Sequence, residues 1–397
     1  MKIGVVVDNE LNNDKRVLRE IEILKVSGNE IFVLCFDFGN KLNSPGTEIS
    51  VTRINLKKKL KDILFLFLNT IPVYEWLWSS WIETFILKNK IDVLHVHDLY
   101  MSRAAYNGVK KTLKKVPLIL DLHENYPFAV TTYNWTKGFL RSRISRTKDW
   151  VVKEREYLFY ADRIIVLSDD FRDLLISRYS ELSESNFTSL PNVPDLSMMK
   201  GTGSLPVTNL FKQNSPVLFY YGVIAERRGV FDTLSVFTDL VKEKVPVNFL
   251  LIGPVDKKDK THFYNLINLK EIAGQIHYIP WINSAELPAY LNIIDICIAP
   301  FHKNPQHESG VANKIYEYMY GAKPIIVSDC IPQQKLIEKH NCGLVFKNLK
   351  ELHDSIITLA KDPELRNIMG KNGLEAVIKD YNIETIKENL LQLYSNF

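Results

Sequence analysis

The 397-residue sequence predicts an α/β chain made of two doubly wound, Rossmann-like units in series. Three observations carry this. Short apolar runs at 3–7, 93–96 and 247–252 recur along the chain with helical-period segments between them. Strands of a buried parallel sheet read as such continuous runs, and they need helical crossovers. A breaker-rich stretch then divides the series near its middle, from Leu190-Pro191-Asn192-Val193-Pro194-Asp195 to Lys200-Gly201-Thr202-Gly203-Ser204-Leu205-Pro206.

The elements follow in order. Residues 3–7 are the first strand, too short an apolar run for a signal peptide. Residues 16–25 form a helix with Val17, Leu18, Ile21 and Leu24 on one face, and Gly28 ends it. Strands follow at 31–36, 93–96, 118–122 and 164–167. A second series starts at 217–222 and continues at 247–252, 276–278, 294–299 and 324–327. The expected organisation is a first domain over 1–195, a linker over 196–216, a second domain over 217–382 and a final helix over 383–397.

Composition is that of a folded globular protein, 46% hydrophobic and 24% charged. Cys35, Cys297, Cys330 and Cys342 show no CxxC pair and no metal-ligand spacing with histidine, so they read as reduced core thiols of a cytoplasmic protein. The net charge of +4 is uneven: residues 101–150 hold 10 Lys+Arg against 3 Asp+Glu. A basic face of this kind suits an anionic membrane surface or a diphosphate substrate, and no nucleic-acid motif is present. In residues 57–90, lysines flank an aromatic stretch that Asn69, Pro72, Glu75 and Glu83 interrupt, which argues against a membrane span. It reads either as a surface-lying amphipathic helix pair or as core helices.

The stretch 313–329 reads as a short helix, a stop at Gly321 and a buried strand. Glu317 is a lone carboxylate among Tyr316, Tyr318 and Tyr320, and Ser309-Gly310 lies in the loop before it. Such a layout can aim backbone amides at a phosphate while the carboxylate accepts hydrogen bonds from two neighbouring hydroxyls. Gly222-Val223-Ile224-Ala225-Glu226-Arg227-Arg228-Gly229 likewise follows a strand and opens a helix. There a glycine lets the backbone approach a ligand and an arginine can clamp a diphosphate. Tyr278-Ile279-Pro280-Trp281-Ile282 precedes a helix expected to be capped by Ser284.

In the first half, His95-Val96-His97-Asp98 and Asp121-Leu122-His123-Glu124-Asn125 end strands, where doubly wound folds line their ligand crevice. No ligand triad is evident among these histidines, and no metal is expected. The loop from Asp8 to Arg16 has no glycine and is not a G-x-G-x-x-G turn, which argues against a nicotinamide or flavin enzyme.

Together these segments resemble retaining GT-B glycosyltransferases, glycosyltransferase family 4 in particular. The resemblance implies two Rossmann-like domains facing a central cleft, the first on the acceptor side, the second binding the nucleotide sugar, with the final helix packing back on the first. Arg228 matches the family's basic residue before the second glycine; Val223 stands where relatives often have arginine, a contact that Arg227 could supply. Glu317 falls in the family's Asn-Lys-x-x-Glu-Tyr-Met helix and would hold the ribose. Ser309 occupies the place of an upstream glutamate, with Glu308 one residue away. The resemblance thus names His123 and Glu308 as catalytic. It names Gly222, Arg227, Arg228, Ile282, Ser309, Gly310, Val311, Asn313 and Glu317 as donor-binding. On the acceptor side it names Asn9, Asn13, Arg16, His97 and Asp98.

The implied reaction is hexosyl transfer from a nucleotide diphosphate sugar to a saccharide or lipid-linked saccharide, without metal or cofactor. The implied setting is bacterial surface polysaccharide or glycolipid assembly, in the cytoplasm or on the inner face of its membrane. A sugar-nucleotide epimerase or phosphorylase on the same fold, and a noncatalytic sugar-nucleotide-binding partner, are the other readings.

Overall fold

Apolar runs of the sequence become strands of two all-parallel sheets in the computed structural model, which describes residues 1–40, 49–136, 138–194, 210–211 and 215–397. The chain divides into two compact units, Met1–Pro191 with Ile386–Phe397, and Asn192–Thr385. Of the expected linker, only Leu210, Phe211, Ser215 and Pro216 lie within the described residues.

The first unit holds β1 (Lys2–Val6), β2 (Glu30–Asp37), β3 (Ser50–Asn55), β4 (Val93–His97), β5 (Leu118–Asp121), β6 (Arg163–Val166) and β7 (Phe187–Ser189). Their order across the sheet is β3-β2-β1-β4-β5-β6-β7. The second unit holds β8 (Val217–Tyr221), β9 (Asn248–Ile252), β10 (Ile276–Ile279), β11 (Ile296–Ala299), β12 (Ile325–Ser328) and β13 (Gly343–Phe346), in the order β10-β9-β8-β11-β12-β13. Strand order reverses at β1/β4 and again at β8/β11. In open α/β sheets, ligands bind beyond the carboxyl ends of the strands at such reversals.

Local chemistry explains the element ends. The helix Lys15–Val26 starts because the Asp14 carboxylate accepts the Val17 N–H at 3.1 Å, and it buries Val17, Ile21 and Leu24. Gly28, at φ 88°, takes the chain out of it. The cap after β10 differs from the expected one. Asn283, not Ser284, accepts the Ala285 N–H at 3.1 Å, and Glu286 reaches back to the Asn283 N–H in a capping box. Gly321 ends the helix Asn313–Tyr320 for a packing reason: a Cβ there would lie 2.9 Å from Leu291 Cδ1, while the left-handed residue is Ala322, at φ 53°.

Residues 57–90 combine both readings of the sequence. The helix Val73–Asn89 buries Tyr74, Trp78, Ile82, Phe85 and Ile86 in the core of the first unit. The helix Lys58–Leu66 buries no residue, and beside it Trp76 is 61% exposed. Among the described residues no helix is long and apolar enough to cross a membrane. All four cysteines are free and buried.

Candidate functional site

In the second unit, the residues singled out in sequence gather at the carboxyl end of β8, beside the β8/β11 reversal. Gly222 follows β8 with φ 124°, and its N–H donates to the Ile252 carbonyl at 2.8 Å. A Cβ on Gly222 would stand 3.0 Å from Lys314 Nζ and 3.9 Å from Arg228 Nη1, so both side chains reach this glycine. Gly229, at φ 68°, starts the helix Val230–Lys242, and a Cβ there would lie 1.7 Å from the Pro300 carbonyl oxygen. That close approach fixes the loop carrying Arg228 against the end of β11. The Arg228 guanidinium lies 5.7 Å from the centre of the Phe301 ring, and its Nε is buried without a hydrogen-bond partner. Arg227 points elsewhere: its Nη1 donates to Asp256 at 3.0 Å.

The helix Asn313–Tyr320 is pinned to β8, because the Tyr221 N–H donates to the Tyr318 hydroxyl at 2.9 Å. Asn313 is exposed at its start and Glu317 is half-buried one turn on. Ser309 is buried, with its hydroxyl donating to the Gln306 carbonyl at 2.6 Å, and Gly310 and Val311 follow half-buried. Glu308 accepts the Ile331 N–H at 3.3 and 3.4 Å, at the first residue of the helix Ile331–His340. Ile282 is buried, while its neighbour Trp281 is 71% exposed. Lys314, part of the motif but absent from the sequence-derived site, is buried among these groups. A lysine on a short helix reads as a solvent residue in sequence, and only the packing of Tyr220 and Phe301 around it reveals otherwise.

The first unit builds a buried ionic cluster at the carboxyl ends of β4 and β5. Arg16 donates from Nε to Glu20 at 2.9 Å and from Nη2 to both Asp121 oxygens at 2.8 and 3.1 Å. Asp121 Oδ2 is also 3.5 Å from His97 Nδ1, 3.5 Å from His123 Nε2 and 3.8 Å from His95 Nε2. The His95 and His97 rings stack at 4.5 Å, and His95 Nδ1 meets the Tyr394 hydroxyl of the final helix at 2.8 Å.

These contacts separate the histidines. Burial raises the Asp121 carboxyl, but Arg16 and His123 outweigh it and hold it well below the usual carboxylate range. Burial alone would depress His123, yet Asp121 lifts it to about 9. Burial, then the neighbouring His95, pushes His97 down to about 3. His97 Nδ1 and His123 Nε2 also lie 3.0 Å from one another. Glu20, His95, His97 and Asp121 bring one ligand atom each within 4.8 Å of one another, a grouping that could hold a metal ion and that the sequence spacing does not reveal. Arg16 also binds both carboxylates of this group.

The other acceptor-side residues surround this cluster unevenly. Asn9 is exposed, and its side chain turns back onto the Glu10 N–H at 2.9 Å. Of Asn13 only the backbone, in the turn Leu11–Asn13, belongs to the described residues. Asp98 adopts φ 73°, a conformation costly for a residue with a side chain, and its carboxylate accepts from the Tyr100 hydroxyl at 3.1 Å. Glu124, not singled out in sequence, accepts from the Tyr133 hydroxyl, and burial lifts it to about 7.

Comparison with known proteins places these features in context. Residues 17–197 match the family model for Glycosyltransferase Family 4, and residues 205–376 match that for Glycosyl transferases group 1. The chain is 20% identical to the alpha-D-kanosaminyltransferase of Streptomyces kanamyceticus, over 76% of each chain. It is 22% identical to the alpha-monoglucosyldiacylglycerol synthase of Acholeplasma laidlawii, over 77% of this chain and 76% of the relative. Among solved structures, HepE of Anabaena in complex with UDP superimposes with a TM-score of 0.71 at 14% identity, over the full length of both chains.

Proposed function

We propose a specific reaction for this chain, which belongs to the GT-B glycosyltransferases, a family 4 half followed by a group 1 half. It moves a hexosyl group from a nucleotide diphosphate sugar to an acceptor hydroxyl with retention at the anomeric carbon. The observation that carries this reading is the convergence of Gly222, Arg228 and the helix of Glu317 on the strand reversal of the second unit. An arginine with an unfilled N–H supplies charge for a diphosphate, and Glu317 supplies acceptors for a ribose diol. HepE was solved with UDP, which makes uridine diphosphate sugars the first donors to test.

In the proposed step the bond from the anomeric carbon to the diphosphate breaks, and its electron pair stays on the phosphate oxygen. Arg228 and the amides of Ser309, Gly310 and Val311 stabilise that developing charge. The acceptor oxygen attacks the same sugar face, and its proton passes to the departing phosphate. His123, protonated beside Asp121, is the catalytic histidine of this scheme, and Glu308 is the carboxylate beside the donor sugar. The scheme uses no metal or cofactor.

The acceptor in this reading is a saccharide, free or lipid-linked, used in glycolipid or surface-polysaccharide assembly at the inner face of the cytoplasmic membrane. One face of the first unit supports the lipid. Leu60, Ile63, Ile71, Trp76, Phe139 and Leu140 are exposed there, and so are Lys57, Lys58, Lys59, Arg141 and Arg143. Asn69 joins the two segments by donating to the Ser145 carbonyl at 2.7 Å. Apolar side chains rimmed by cations suit an anionic bilayer surface.

The test is incubation with a panel of sugar nucleotides, with and without saccharide and lipid-linked acceptors. Nucleoside diphosphate release should depend on acceptor, and the product's anomeric configuration should match that of the donor. Conversion of the donor without acceptor would instead identify an epimerase, and no acceptor-dependent release from any donor would overturn the reading.

A further inference from the structure

Lys314 sits at the second position of the helix Asn313–Tyr320, yet only 7% of its surface is exposed. Its Nζ lies 3.8 Å from the centre of the Tyr220 ring and 5.3 Å from that of Phe301, and it has no hydrogen-bond partner among the described residues. An ammonium held this way is poorly solvated, which favours its neutral form. Burial first, and then the charge of Arg228, push Lys314 well below the ordinary lysine range, against a weaker pull from Glu317.

The surrounding groups leave this nitrogen for a ligand. Arg227 is taken by Asp256. The Tyr220 hydroxyl donates to the Val223 carbonyl at 2.7 Å. His307 packs on Phe301 at 4.7 Å and is held below the usual histidine range, by burial first. Glu317 lies three residues along the same helix, and the Tyr318 hydroxyl is engaged by the Tyr221 N–H. What remains is Lys314 Nζ and Arg228 Nε, each buried without a hydrogen-bond partner, and Lys314 Nζ and Arg228 Nη1 both stand over the face of Gly222 where a Cβ would lie. Two adjacent buried cationic side chains suit an anion.

We propose that Lys314 is a second diphosphate-binding cation beside Arg228, and that it takes up one proton from solvent as a nucleoside diphosphate binds. The inference rests on the donor reading above and adds a regulation to it. In the empty site two adjacent cations would repel; the entering diphosphate compensates both, so Lys314 becomes charged only when the anion is present. The bound state then holds one proton more than the free state. Affinity therefore falls as pH rises, by about tenfold per unit, between the depressed lysine value and its bound one.

The experiment is calorimetric titration of the full chain with UDP in two buffers of different ionisation enthalpy. It is run near pH ~8, where a phosphate whose last pKa is ~6 is fully ionised. The expected result is uptake approaching one proton per UDP. Lys314→Met should lose that uptake and bind UDP about 10- to 100-fold more weakly, as expected for loss of a charged hydrogen bond. The same substitution should raise the melting temperature of the empty protein, because it replaces a buried, unpartnered amine with an apolar chain. Lys314→Arg, which cannot shed its proton, should bind UDP without uptake.

Binding without proton uptake by the unaltered chain, uptake that persists in Lys314→Arg, or unchanged affinity in Lys314→Met would overturn the proposal. If Glu317→Ala weakens UDP and Lys314→Met does not, the donor reading stands and the inference falls alone. If the folded chain binds no nucleoside diphosphate, both fall together.

Discussion

Arg16 and Asp121, 105 residues apart in sequence, meet in a two-oxygen contact at 2.8 and 3.1 Å with the carboxylate fully buried. This pair ties the first helix of the chain to the end of β5, and it sets the charge of the histidines around it. Without the carboxylate, Arg16 would keep only Glu20 as a buried counter-charge beside His95, His97 and His123.

Asp121→Asn should therefore do two things. Removing one of the two buried carboxylates that Arg16 binds, with Glu20 left, should cost up to about 3 kcal/mol of stability, measured by urea unfolding. His123 should also lose its main upward influence and fall from about 9 to below the ordinary 6.5, read from imidazole nitrogen shifts against pH. An unchanged His123 titration in a folded variant would show that Asp121 does not control it.

Stability should vary with pH through three buried groups of the first unit. His123 is raised in the folded state, so its contribution is complete below 6.5 and is lost as pH climbs through about 9. That limb amounts to at most ~3 kcal/mol. Glu124, raised from 4.5 to about 7, adds a contribution present below 4.5 and lost by about 7. His97 is depressed, so its contribution is present above 6.5 and is lost as pH falls towards about 3. Melting curves across pH should show His123→Gln flattening the alkaline limb and His97→Gln flattening the acid limb. Identical pH profiles for both variants and the parent would refute the assignment.

Two glycines with positive φ should respond differently to alanine. Gly28, at φ 88°, has open space around its missing Cβ, so Gly28→Ala should cost about 1 kcal/mol, from backbone strain alone. Gly229→Ala adds a collision with the Pro300 backbone at 1.7 Å and should cost several times more, about 3 kcal/mol or above, with the Arg228 loop displaced. Equal losses by denaturant unfolding would mean that the loop yields easily.

Most strands of both sheets were legible as apolar runs, because parallel strands buried on both faces leave that signature. The three missed strands are sheet edges or short pieces. β3, Ser-Val-Thr-Arg-Ile-Asn, is only half-buried at an edge; β7 has three residues; β13 opens on Gly343, whose missing Cβ admits the Ile325 carbonyl at 1.9 Å. The strand-end histidines and the Gly222–Gly229 turn were visible as local motifs. Their partners were not, since Arg16–Asp121 and His95–Tyr394 join residues far apart in sequence. Lys314 escaped because helical position alone says nothing of the rings that bury it.

The basic, apolar face of the first unit predicts binding to vesicles containing anionic lipid that weakens as salt screens the charges. Flotation should recover the parent chain at low salt, and Trp76→Ser with Phe139→Ser should lower recovery several-fold without changing donor affinity. Absence of the parent from the floating fraction at low salt would remove the membrane from the account.

Donor binding through Glu317 of the second unit, with His123 serving the reaction, is the assignment on which the proposed transfer rests. One measurement addresses it: donor affinity and turnover for the preferred sugar nucleotide, compared in the parent, Glu317→Ala and His123→Ala. Glu317→Ala should weaken donor binding by about 10- to 100-fold. His123→Ala should lower turnover by about 100-fold or more with donor affinity nearly unchanged. Parent-like affinity and turnover in both variants would contradict it.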